Sequence, residues 1–152
     1  MRRAYHVLAY LIAAEVVIQA MMIATGVAGL DHWIEHDHAT VTKHVLDSNP
    51  SFSGSWGFAV HAINGEMLIP LLALVLLIVS FFAGVAGGTR WALYILGLIV
   101  VQVVLGVSQG SVPYLGLLHG ANALAIFAIA VITARRAKDV TEDASTATAA
   151  AA

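Results

Sequence analysis

The chain has 152 residues, 60% of them hydrophobic and 11% charged, and it contains no cysteine. That composition belongs to a membrane protein of one compact domain, and the missing cysteine excludes disulfides, thiolate metal sites and covalent haem attachment through C-x-x-C-H. The formal net charge is -2 with basic residues set at chain ends and turns, so nucleic acid has no surface to bind, which leaves lipid, a cofactor, a quinone or another membrane subunit as partners.

Arg2 and Arg3 open the first apolar run, at about 4–26. Its length and Glu15 argue against a signal peptide. Further runs follow at about 58–83, 91–109 and 114–134, each close to the roughly 20 residues that cross about 30 Å of hydrocarbon as a helix. The predicted fold class is therefore all-α, a bundle of four transmembrane helices. Arg2, Arg3, Arg90, Arg135, Arg136 and Lys138 fall on one side of this plan and Lys43 alone on the other, which predicts both termini to be cytoplasmic. Tyr5, Trp56, Trp91 and Tyr114 lie near helix ends, where aromatic belt residues anchor to the interface.

On this plan residues 27–57 form a long outer loop, GVAGGTR (84–90) a short inner turn and GSVP (110–113) a short outer one. Pro70 predicts a kink in the second helix, whereas Pro113 suits a helix start. The tail, 139–152, has low complexity and is expected to be disordered and cytoplasmic.

The spans repeat. HAINGEML from His61 matches HGANALAI from His119, with Asn64 on Asn122, at an offset of 58. Gln19 matches Gln102, and Thr25 matches Ser108, at an offset of 83. The two offsets differ by 25 residues, about the excess length of the first outer loop. The chain thus reads as a duplicated helical hairpin, a parallel repeat about an axis along the membrane normal.

Duplication places His61 and His119 at a common depth, roughly 5 Å below the outer boundary by helix rise. Two imidazoles from facing helices are the axial pair that a b-type haem requires, the macrocycle supplying four further nitrogens. Gly57, Gly65, Gly116, Gly120 and Ala123 lie within about a turn of the histidines and would let a flat ring approach the backbone. The bland alternative is that each histidine only hydrogen-bonds between helices. Gln19, Gln102, Asn64 and Asn122 form a polar tier nearby, either orienting haem and ligands or serving as interhelical amide contacts.

Glu15 and Glu66 fall near mid-membrane. They suit proton transfer or a quinone hydroxyl, or else a neutral acid bonded to a neighbour such as Gln19, one turn after Glu15. In the long loop His32, Glu35 and His36 form H-x-x-E-H, with His38 and His44 following. On a helix, His32 and His36 would share a face and could hold a metal. The default is a solvated acidic and histidine-rich cap.

Residues 100–137, with Gln-x-x-Leu-Gly, Pro113 and the helix-leading His119, resemble the paired-helix element of the haem A synthase family. The whole chain is similar to one four-helix half of that fold, and most to a small bacterial family of that half size. The resemblance implies a plasma-membrane bundle in which His61 and His119 each give one ligand to a single haem b. It differs in having one bundle, no cysteine pair, and Phe58 where the family has a catalytic Glu, so haem binding carries over and haem A synthesis does not. The leading expectation is a membrane b-type cytochrome that passes electrons with a quinol or a redox subunit. The others are a haem-free accessory or assembly subunit of a larger membrane complex, and a haem-modifying enzyme, which would need a homodimer to rebuild two bundles.

Overall fold

The protein, described by a computed structural model over residues 1–137 with their side chains, is all-α. The elements are α1 (Arg2–Glu35), α2 (Lys43–Asp47), α3 (Trp56–Ile63), a π-helical turn (Asn64–Leu68), α4 (Ile69–Ser80), α5 (Gly88–Ser108) and α6 (Leu115–Ala150). The tail expected to be disordered, 139–152, lies outside the described residues. Four stretches are long and apolar enough to cross a membrane: Arg2–Glu35, Trp56–Ser80, Gly88–Ser108 and Leu115–Ala137. Large side chains such as Met21, Leu71, Val104 and Leu124 are exposed along them. An apolar surface of that extent belongs in lipid, and the chain is a multi-pass membrane protein.

Packing divides the chain into two units, Met1–Val16 with Glu66–Ala152, and Val17–Gly65. The first is a four-helix bundle. Tyr5, Ala9, Ile12 and Ala13 of α1 share one buried cluster with Ile69, Ala73 and Leu76 of α4, Ala92, Ile95 and Ile99 of α5, and Ile126, Ala130 and Ala134 of α6. Alanine recurs in that list because lipid offers no hydrophobic drive to associate, and small side chains let helices approach until dispersion contacts hold them. Tyr5, expected at the interface, belongs to this core: it is fully buried and its hydroxyl donates to the Gly88 carbonyl at 2.8 Å. A phenol is amphipathic, and a carbonyl at the start of α5 satisfies its one polar atom inside the bundle.

The second unit gives the expected outer loop an ordered base while its acidic and histidine side chains stay exposed. α1 continues to Glu35, well past the apolar run, because nothing in VAGLDHWIE breaks it. Here α1 meets α3 and the segment before it at glycines. A Cβ on Gly26 would lie 2.9 Å from the Phe58 ring, one on Gly29 would collide with the Ser53 carbonyl, and one on Gly57 with the Met22 carbonyl. Gly57 therefore serves helix approach, and the expectation that it clears space for a macrocycle is corrected. The loop folds back with Trp33 stacked on Phe52, ring centroids 5.0 Å apart and nearly parallel at 9°. A cavity of about 400 Å³ opens beside these rings, lined by Leu30, Leu46, Phe52 and Phe58 among others. The histidines stay outside: His32, His36, His38 and His44 are all exposed.

The kink expected at Pro70 takes the form of the π-turn. Proline at 70 lacks an N–H, and its ring would crowd the carbonyl four residues back, that of Glu66. Widening the turn over Asn64–Leu68 removes that conflict, and Pro70 then sits in the first turn of α4, where no N–H is needed.

Candidate functional site

In the second unit, α1 and α3 bring His61 against the backbone of Gln19. Its Nδ1 lies 3.1 Å from the Gln19 carbonyl oxygen. A carbonyl can only accept, so this contact assigns the proton to Nδ1 and leaves the lone pair of the neutral imidazole on Nε2.

In the first unit, α5 and α6 repeat the arrangement. His119 Nδ1 lies 3.2 Å from the Gln102 carbonyl oxygen, and the same tautomer follows. The two bonds close over 42 and 17 residues, a difference equal to the 25-residue excess between the repeat offsets. The duplication inferred from spacing thus reappears as the same hydrogen bond, made by matching residues in each hairpin. A ring whose Nδ1 is held by a carbonyl, with Nε2 basic, is the form in which histidine ligates a metal.

Around the histidines the two halves differ. The Asn122 amide donates to Gln102 Oε1 at 2.7 Å and to the Leu98 carbonyl at 2.9 Å. In this half the expected polar tier exists as an interhelical amide pair. Gln19, the counterpart of Gln102, has both side-chain polar atoms buried and no hydrogen-bond partner among the described residues. Asn64, the counterpart of Asn122, is the first residue of the π-turn, and the amide pair is not made. The hydrogen bond expected between Glu15 and Gln19 is likewise absent, since the Gln19 amide accepts and donates none.

The small residues sort by what faces them. A Cβ on Gly65 would stand 3.6 Å from Gln19 Nε2 and one on Gly116 3.4 Å from Gln109 Oε1, while one on Gly120 meets nothing within 4 Å. Gly106, which the sequence reading left unassigned, is the closest to a histidine: a Cβ there would lie 3.1 Å from His119 Cε1. It is the last residue of Gln-x-x-Leu-Gly, so a signal was present in that motif. His6 was also passed over. Its Nδ1 lies 2.9 Å from the Ala134 carbonyl oxygen, on the first unit's own helices.

Glu66 was expected in the membrane interior as a buried carboxylate. It lies on the π-turn with its side chain at the protein surface. Glu15 is half-buried on α1. His32 and His36 do share a face, their rings edge to face with centroids 4.6 Å apart. Among the described residues no group of three or more histidines, cysteines or carboxylates is placed to hold a metal ion, so the loop pair lacks a third ligand.

Each half offers one imidazole in the tautomer that can ligate a metal, and the Gln19 amide beside His61 has no hydrogen-bond partner among the described residues. Haem brings four nitrogens of its own and needs only two from protein. No known family, curated protein or solved structure matches the chain.

Proposed function

We propose that this protein is a membrane b-type cytochrome in which His61 and His119 are the two axial ligands of one haem. The observation that carries the reading is the matched Nδ1-to-carbonyl bond of His61 to Gln19 and of His119 to Gln102. A haem held by His61 and His119 would supply one-electron transfer rather than small-ligand chemistry. The work left to this chain is to hold two imidazoles in one tautomer, to exclude water with apolar helices, and to receive electrons from a quinol or a redox subunit. Phe58, which packs against Gly26, stands where the related synthases carry a catalytic Glu. That favours an electron carrier over a haem-modifying enzyme. The arginine distribution supports an orientation with both termini cytoplasmic, and a bacterial plasma membrane is the location that goes with this reading.

The test is an absorbance spectrum of detergent-purified protein made with ample haem, oxidised and then reduced. Low-spin b-type Soret and α bands, with one haem per chain, are expected. Their absence, or their survival in both His61→Ala and His119→Ala, would overturn the proposal.

A further inference from the structure

The arginine end of the first unit gathers cationic side chains around one turn. Arg2, Arg3, Arg90, Arg135 and Arg136 all lie there, and none forms an ion pair among the described residues. The one such pair is Lys43–Asp47, in the long loop. The described carboxylate nearest in sequence to Arg3 is Glu15, about 18 Å further along α1 by helix rise.

Three of these arginines gather around one turn. α4 and α5 are joined through Gly84 and Gly87, both left-handed at φ +62° and +68°, a conformation that glycine adopts without strain. Arg2 Nη2 donates to the Gly84 carbonyl at 3.2 Å. Arg90 Nη2 would be 3.7 Å from a Cβ on Gly87, so its guanidinium lies against the turn. The Arg136 guanidinium lies over the Trp91 ring, 4.9 Å from its centroid. At the same place, Arg2 Nε and Trp91 Nε1 are buried donors with no acceptor among the described residues. α5 itself starts at Gly88 with no side-chain cap, so its first turn adds positive potential to the same spot.

Guanidinium groups gathered at one turn, two buried donors without acceptors among the described residues and a helix start together suit an anion with several oxygens. The surroundings choose which. Phe81 and Phe82, immediately before the turn, are 65% and 71% exposed, and the helices below them present apolar surface. A free inorganic anion gains nothing from that surface, whereas an amphiphile gains along its whole length. We propose that the turn 84–87, with Arg2, Arg90, Trp91 and Arg136, is a binding site for the phosphate of an anionic phospholipid. The guanidinium groups close on the phosphate oxygens as charge-assisted donors, and Phe81 and Phe82 lie against the acyl chains. The site is independent of haem and lies wholly within one unit.

The experiment is lipid titration of delipidated full-length protein in detergent, followed by native mass spectrometry. Phosphatidylglycerol, phosphatidylcholine with the same acyl chains, and inorganic phosphate are the probes. Near-surface arginines contribute enough attraction for phosphatidylglycerol to bind about tenfold more tightly than phosphatidylcholine. The double variant R90Q/R136Q should lose that preference while R90K/R136K and the loop variant K43Q keep it. The lysine variant guards against misfolding, since it retains charge at both positions. Equal binding of the two lipids by the wild-type protein, a preference that survives in R90Q/R136Q, or displacement of phosphatidylglycerol by millimolar inorganic phosphate would each overturn the proposal.

Discussion

The hairpin of α5 and α6 and the hairpin of α1 and α3 hold their histidines by the same bond and surround them differently. In the later hairpin Gln102 and Asn122 satisfy each other, and Asn122 also reaches the Leu98 carbonyl. In the earlier one the Gln19 amide is buried with no partner among the described residues, and the helix widens into a π-turn at Asn64. Duplication therefore preserved what positions an imidazole and released what surrounds it. A buried amide left unsatisfied costs about 1–3 kcal/mol. An unpaired Gln19 beside His61 thus marks the half in which a bound group has a hydrogen bond to gain, while the later half is already complete.

The largest expected effect tests what the halves share. His61→Ala and His119→Ala should each abolish the low-spin spectrum, because one axial imidazole cannot sustain the bis-histidine state. A variant that kept the wild-type α band would break the equivalence of the two histidines. Next, Gly106→Ile should impair haem retention by tenfold or more, roughly a 1.4 kcal/mol effect, as its branched side chain displaces the His119 ring. Titration of apoprotein with hemin reads it, and wild-type affinity in that variant would show that the ring does not need the space.

The amides give the sharpest contrast. Gln102→Leu removes the acceptor of Asn122 and should lower stability in detergent by about 1–2 kcal/mol. Gln19→Leu removes atoms that pair with nothing among the described residues, so haem-free protein should be equally or more stable, while hemin affinity falls. Thermal denaturation of the two variants with and without hemin separates the cases, and equal losses in apoprotein would remove the asymmetry. The smallest effect belongs to Pro70→Ala. Restoring an N–H should let Asn64–Leu68 relax toward an α-helix, with a stability change of about 1 kcal/mol or less. Hydrogen exchange across 64–70 measures it, and unchanged exchange would mean that proline does not cause the π-turn.

Much of this was legible in the chain because membrane helices are written in composition. Each backbone polar group must be satisfied within its own segment, so the four spans follow from apolar length alone. The repeat was legible for a similar reason: His61 with Asn64 and His119 with Asn122 stand out against aliphatic neighbours. Other features were less accessible. Gly57 reads as a small residue near a histidine, and only the close passage of α1 shows that its missing Cβ faces a backbone carbonyl. Tyr5 reads as an interface anchor by its position, and its burial depends on a carbonyl contributed 83 residues later. Trp33 and Phe52 lie in a polar stretch that suggests solvent, yet they stack on each other.

The sequence by itself determined that the chain spans a membrane four times and that two hairpins carry matching histidines, since hydropathy and spacing are local properties. Only the tertiary structure decided which nitrogen of each histidine is held, that Gln102 is paired while Gln19 is not, and that three arginines converge on one glycine turn. Those outcomes depend on distances between segments far apart in the chain. Hydrogen bonds and charge pairing fall off over a few ångströms, so no local pattern specifies them until the helices have packed.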